Sequence, residues 1–241
     1  MKYALVTGGS TGIGKAIAIS IAMEHGYHVL VNYYKNGEVA NEVVSLIRER
    51  SGSAEAIQFD VTDKSDVATK LNNWSGANND AVIEVLINNA GLIRDDLLMF
   101  MNEEKWDMVV DVKLKGFYNV TSCVIQKMLL NRYGRIVNIA SLRGIYGARG
   151  QVNYSAANGG LIAASNALAK ETGGRNITVN AVAPGFIRTA LTVQLPEEEL
   201  KKIIPAGRFG TPEEIADLVS FLVSRKAAYI NGAVIPITGG L

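Results

Sequence analysis

The sequence predicts an α/β fold: a single doubly wound parallel sheet of about seven strands, with helices on both faces. Three observations carry this. Short apolar, β-branched runs alternate with longer stretches of helical periodicity along the whole sequence. The strand-like runs are apolar almost throughout, as strands buried on both faces are. No linker, low-complexity tract or tandem repeat breaks the alternation, so residues 1–241 read as one domain.

The expected strands are Ala4–Val6, His28–Asn32, Ala54–Phe59, Val82–Ile87, Arg135–Ile139, Ile177–Val182 and Ala233–Ile237. Each is short and flanked by Gly, Asp or Asn. The helical patterns between them span Ile13–Glu24, Glu38–Arg50, Lys64–Trp74, Glu103–Leu130, Val152–Thr172 and Pro212–Ser224. Gly26 and Gly52 read as stop signals, and Thr211-Pro212 as a cap followed by an N1 proline. Ser75–Asp80 is polar and reads as a loop. Phe186–Arg208 is irregular, with two prolines and a charged run, and suits a short helical lid over a site.

Composition narrows the function classes. The 241 residues hold 24 Lys+Arg against 23 Asp+Glu, a net charge of +1, so no basic surplus points to nucleic acid or an anionic membrane. One cysteine, Cys123, excludes an intrachain disulfide and fits a reducing cytosol. No signal peptide is expected, because Met1-Lys2 leads straight into a strand-like run, and no apolar run of about 18 residues is present. A cytoplasmic protein without a membrane span is expected. Two histidines and one cysteine provide no metal-ligand cluster.

The chemistry starts at Thr7-Gly8-Gly9-Ser10-Thr11-Gly12-Ile13-Gly14, between the first strand and the first helix. Gly8 permits a sharp turn, Gly12 a close approach to phosphate, and Gly14 tight packing of helix on sheet. The helix N-terminus then faces a pyrophosphate. This is the start of a Rossmann-like, NAD(P)-binding fold. The same residues match the hydrolase elbow G-x-S-x-G, but that reading needs a histidine late in the chain, and only His25 and His28 exist. The second strand ends Asn32-Tyr33-Tyr34-Lys35 without the acidic residue that would bind a ribose 2′-hydroxyl, so NADPH is expected over NADH. Asn32, Tyr33 and Lys35 are placed to accept a 2′-phosphate. Asp60-Val61 and Asn88-Asn89-Ala90-Gly91 end the third and fourth strands, where ligands bind in such sheets. Ser141 ends the fifth, and Tyr154 follows thirteen residues later. A tyrosine hydroxyl has a reference pKa of about 10, so protonating a carbonyl oxygen benefits from a nearby cation.

Together these residues, with Asn180-Ala181-Val182-Ala183-Pro184-Gly185, resemble the short-chain dehydrogenase/reductase family over the whole length. Within it the chain looks most like the 3-oxoacyl-[acyl-carrier-protein] reductases, through Arg94–Met99, Tyr133–Asn138, Ile177–Thr189 and Ala206–Gly210. The resemblance implies that Gly8, Ser10, Gly12, Ile13 and Gly14 hold the dinucleotide phosphates, with Thr11 among the cofactor-binding residues. It implies that Asp60 and Val61 flank adenine, that Asn88 contacts the adenosine ribose, and that Ala90 and Gly91 also bind the cofactor. Pro184, Gly185 and Ile187 would place the nicotinamide. Ser141 and Tyr154 would bind and protonate the ketone of a 3-oxoacyl thioester, in fatty acid or polyketide synthesis. Arg132 and Arg175 match basic residues that meet the acyl carrier protein. A homotetramer built on the two long helices is implied as well.

Two positions depart from the family pattern. The tetrad Asn-Ser-Tyr-Lys here has Lys113 at the Asn position and Asn158 at the Lys position. Thr11 stands where these reductases often carry Arg, which removes one 2′-phosphate contact. Three readings stand. Lys113 restores the ammonium near Tyr154 from the neighbouring helix; or the chain is a weak or inactive cofactor-binding subunit that assembles with an active homologue; or the exchange reflects a different carbonyl substrate or an engineered sequence.

Overall fold

The computed structural model describes residues 1–79 and 81–241. Seven parallel strands form one sheet: β1 (Tyr3–Val6), β2 (His28–Tyr33), β3 (Ser53–Gln58), β4 (Ile83–Asn88), β5 (Gly134–Ile139), β6 (Ile177–Pro184) and β7 (Val234–Ile237). Their spatial order is β3-β2-β1-β4-β5-β6-β7. The chain winds outward from β1 in one direction, then returns to β4 and winds out in the other. The crevice between β1 and β4 is therefore the switch point of the sheet, where such folds bind ligands.

Side chains alternate across the strands, and the two faces build two cores. Ala4, Val6, Val29, Val31, Ile87 and Val182 pack with Ile17, Ile21, Ile215 and Val219 on one face. These come from α1 (Gly12–His25) and α9 (Pro212–Val223), with α2 (Gly37–Glu49) alongside. Leu5, Leu30, Leu86, Ile136 and Val179 point the other way, to Phe59, Val67, Val120 and Met128. That face carries α3 (Lys64–Ala77), α5 (Gly116–Asn131) and α7 (Val152–Thr172).

All seven expected strands and all six helical patterns are present, within a few residues at their ends. Four local differences have physical causes. Ser75–Ala77, expected in a loop, continues α3, because Asn78 caps it by donating back to Trp74 and Ser75 carbonyls; Asp80 lies outside the described residues. Gly52 is not the left-handed stop after α2: Ser51 takes that conformation (φ +65°), while a Cβ on Gly52 would collide with Met23 and Ile47. The long helix Glu103–Leu130 is not uniform. It runs as α4 (Glu103–Val110), a π turn over Asp111–Lys115, and α5. A short helix, α6 (Arg143–Tyr146), had no periodic signal. The irregular stretch 186–208 does contain a helical piece, α8 (Glu197–Leu200), followed by a tight turn at Lys201–Ile203.

Candidate active site

The C-terminal ends of β1, β4, β5 and β6 open into a cavity of about 250 Å³. Gly8, Thr11, Gly12, Ile13 and Gly14 form one wall, Ala90 and Gly91 another, and Pro184, Gly185 and Ile187 a third. Lys113, Ser141 and Tyr154 line the same space, and Thr189–Thr192 of the irregular stretch close over it.

The glycine-rich wall suits a dinucleotide. Gly8 holds φ +58° and Gly12 φ +52°, which side chains disfavour. A Cβ on Gly14 would lie 2.2 Å from the Gly8 carbonyl oxygen, so strand and helix touch there. Helices α2, α3, α4 and α9 are capped by the side chains of Asn36, Asp63, Asn102 and Thr211. Helix α1 has no side-chain cap from Thr11 and no acidic residue in its first turn. Its leading N–H groups face the cavity without such a partner, the arrangement that receives an anion. Thr7 and Asn89 lock this wall in place. Thr7 Oγ1 accepts from the Asn89 and Ala90 N–H groups, and Asn89 Nδ2 donates to the Thr7 and Gly8 carbonyls.

Ser141 lies two residues past the end of β5, and Tyr154 stands in the first turn of α7. The helix start is fixed by Asn153, fully buried, whose amide donates to the Arg94 and Lys105 carbonyls while its oxygen accepts from the Tyr154 N–H. Burial raises the Tyr154 hydroxyl above its ordinary pKa, and the Asp95 carboxylate adds to this; the Ser141 hydroxyl, the Asn158 amide and Arg143 pull it back. Tyr154 is therefore a protonated, donating hydroxyl at neutral pH.

Lys113 lies in the π turn, and the turn brings it inward. Its side chain is buried, and its Nζ donates to the Ala90 carbonyl at 3.1 Å and the Ile139 carbonyl at 3.0 Å. No hydrogen bond to Tyr154 is formed, and among the described residues no carboxylate pairs with this ammonium. Burial lowers its pKa to about 8. Asn158 is fully buried behind the cavity wall. Its Nδ2 donates to the Tyr154 carbonyl one turn back at 2.8 Å, and its Oδ1 is buried without a partner. Gly144 packs directly on it: a Cβ there would lie 2.7 Å from the Asn158 carbonyl carbon.

Several residues named from sequence sit elsewhere. The Asn32 side chain is buried and spent on backbone, accepting from the Gly8 N–H and donating to the Tyr33, Ile57 and Phe59 carbonyls. Tyr33 packs its ring against Gly37, and Lys35 is exposed. Asp60 accepts from the N–H and hydroxyl of Thr62. Val61 and Asn88 line a small adjoining void rather than the main cavity, and Ser10 lines neither. Arg132 precedes β5 and Arg175 precedes β6, so both lie at the N-terminal edge of the sheet, opposite the cavity.

Sequence reasoning missed a buried polar ladder behind the site. Asn88 donates to Thr121 and Asn138, Asn138 donates to Ser165 at 2.7 Å, and Ser165 donates to the Leu161 carbonyl. Asn119 donates to the Val61 carbonyl beside it. The available signal was an Asn inside an otherwise apolar strand at position 138. Among the described residues no helix is long and apolar enough to cross a membrane, and no cluster of His, Cys, Asp or Glu is placed to hold a metal ion.

Comparison with known proteins agrees with this geometry. A family model described as enoyl-(acyl carrier protein) reductase matches residues 8–241. The chain is 44% identical to the 3-oxoacyl-[acyl-carrier-protein] reductase FabG of Thermotoga maritima, over all of this chain and 97% of the relative. It is 46% identical to that of Aggregatibacter actinomycetemcomitans over 98% of both, and 43% identical to the 3-oxoacyl-[acyl-carrier-protein] reductase of Synechocystis, over all of this chain and 96% of the relative. With a switch-point cavity, a glycine-rich wall and Ser141 and Tyr154 facing it, the chain belongs to the short-chain dehydrogenase/reductase family.

Proposed function

We propose that this protein reduces the ketone of a 3-oxoacyl thioester, carried on acyl carrier protein, to the 3-hydroxyacyl thioester with NADPH, and that Lys113 supplies the positive charge that position 158 lacks. The observation that carries the reading is the buried Lys113 ammonium on the wall of the cavity that Ser141 and Tyr154 also line. The names of the relatives support the substrate class.

The residues of the glycine-rich wall and the open first turn of α1 would hold the dinucleotide phosphates, and Pro184, Gly185 and Ile187 would seat its nicotinamide. When bound, that ring supplies a hydride. The chain's own part is proton delivery and charge control. Ser141 holds the ketone oxygen by a hydrogen bond. Tyr154 gives that oxygen a proton and becomes a tyrosinate. A cation in the same low-dielectric space favours that anion. Lys113 provides one without the desolvated carboxylate partner that would cancel it.

Carrier-protein contact by Arg132 and Arg175, and assembly of four copies through the long helices, belong to the same reading. So does a cytoplasmic setting.

A second reading keeps its footing on one observation. The Lys113 ammonium bonds to two backbone carbonyls and not to Tyr154, as it would in a cofactor-binding subunit that assembles with an active homologue. Acetoacetyl-thioester reduction by Lys113→Ala, Asn158→Lys and the double exchange Lys113→Asn/Asn158→Lys separates the two. The first reading expects Lys113→Ala to abolish turnover while NADPH binding survives. Indifference to Lys113→Ala refutes it. An unaltered chain that binds NADPH without turnover establishes the second.

A further inference from the structure

A lysine inside the sheet-facing side of a helix needs room. The π turn supplies part of it, and the carbonyls of Ala90 and Ile139 supply the acceptors. The remaining space belongs to Gly91. A Cβ built on Gly91 would stand 2.8 Å from Lys113 Nζ and 3.1 Å from Cε; its next neighbour, the Asn89 carbonyl oxygen, is 3.8 Å away. Gly91 does not hold a left-handed conformation, so its backbone accepts any L residue. What a methyl group would meet there is the far end of Lys113.

This separates Gly91 from the other close glycines of the site. At Gly14 and Gly144 a Cβ would strike backbone, at 2.2 Å and 2.7 Å, and the fold itself would have to shift. At Gly91 the obstructed atoms end a flexible side chain and can move aside at little cost to the fold. Moving them carries the ammonium off its two carbonyls.

We propose that Gly91 is the positioning residue of the Lys113 ammonium, and that the missing side chain at position 91 seats this cation on the carbonyls of Ala90 and Ile139, in the cavity that Ser141 and Tyr154 also line. The inference rests on the reading that the Lys113 charge serves the reaction. It gives the glycine three residues past β4 a task tied to the lysine this chain carries at position 113. Placement of the charge then depends on two segments, the π turn and the β4 end.

The test compares Gly91→Ala with the unaltered protein and with Lys113→Ala. Three quantities are read: thermal midpoint, thioester reduction against pH, and the pH dependence of Lys113 acetylation by acetic anhydride, followed by mass spectrometry. Gly91→Ala is expected to keep its thermal midpoint and lose about 100-fold in turnover, the scale of an ångström's misplacement. Its Lys113 labelling curve is expected to move away from the unaltered protein's midpoint near pH 8. Unchanged labelling overturns the proposal whether or not turnover falls, because a loss of turnover alone would place the effect on cofactor or substrate. If Lys113→Ala keeps full turnover, the underlying reading fails; the labelling comparison still decides the role of Gly91.

Discussion

Asn88 on β4 donates its side-chain amide to Oδ1 of Asn138 on β5 at 2.8 Å, and both side chains are shut away from water. The bond joins two strand ends that form the site, and through Ser165 it ties them to α7 two turns beyond Asn158. Replacing Asn138 by Leu would leave the Asn88 amide and the Ser165 hydroxyl each short of a partner. A buried unsatisfied group costs about 1–3 kcal/mol, so a loss of about 2–4 kcal/mol is expected in urea unfolding. Ser165→Ala, which strands only one donor, should cost less.

Lys113 predicts opposite pH trends for rate and stability. Burial sets its folded pKa near 8, below its ordinary 10.5. Turnover should fall as pH rises through about 8, because the cation is lost. For stability, the unfolded state binds the extra proton between these two values, so this group makes the fold more stable as pH rises from 8 towards 10.5. Below 8 the ammonium is charged in both states and the full cost of burying it applies. Urea midpoints across this window, compared with those of Lys113→Met, isolate the contribution: the rise belongs to the unaltered protein and is absent from the variant.

Two glycine substitutions should part company. Gly14→Ala drives a methyl into the Gly8 carbonyl and opens the strand-to-helix turn. NADPH affinity, read by fluorescence, is expected to fall by at least about tenfold, the scale of one misplaced phosphate contact. Gly76 lies in α3 with open space around it. Gly76→Ala should leave affinity alone and raise stability by up to about 1 kcal/mol.

Helix α9 begins with a reciprocal cap. Thr211 Oγ1 accepts from the Glu214 N–H, and Glu214 accepts from the Thr211 N–H and from Arg208. Thr211→Ala should cost about 1 kcal/mol. Arg208, and then the Thr211 N–H, hold the Glu214 pKa down to about 2. Its contribution to stability is therefore complete above the ordinary value of 4.5 and lost as pH falls towards 2. Solvent screening keeps that contribution small. Acid titrations of the unaltered protein and Glu214→Gln should converge at the bottom of this window.

The order of strands and helices was legible because burial on two faces leaves an apolar signature that survives without tertiary information. Gly8–Gly14, Ser141 and Tyr154 were legible because the chemistry at a strand end needs particular residue types there. Other features were hidden for physical reasons. The π turn at Asp111–Lys115 has the composition of ordinary helix. The full use of Asn32 by backbone depends on which way β3 and the Gly8 turn approach it. The separation of Arg132 and Arg175 from the cavity needed the topology: each precedes its strand, and the cavity lies past the strand ends.

That last placement has a logistical consequence. A six-residue strand spans about 20 Å, so the two arginines and the cavity lie at opposite poles of one chain. A carrier gripped by Arg132 and Arg175 delivers its cargo away from the pocket of the chain that grips it. If the two arginines grip the carrier as proposed, the serving pocket would belong to a neighbouring copy, and a pair of copies would be the working unit for tethered cargo. Dilution that separates the copies should then silence turnover of carrier-bound thioesters while free acetoacetyl thioesters are still reduced.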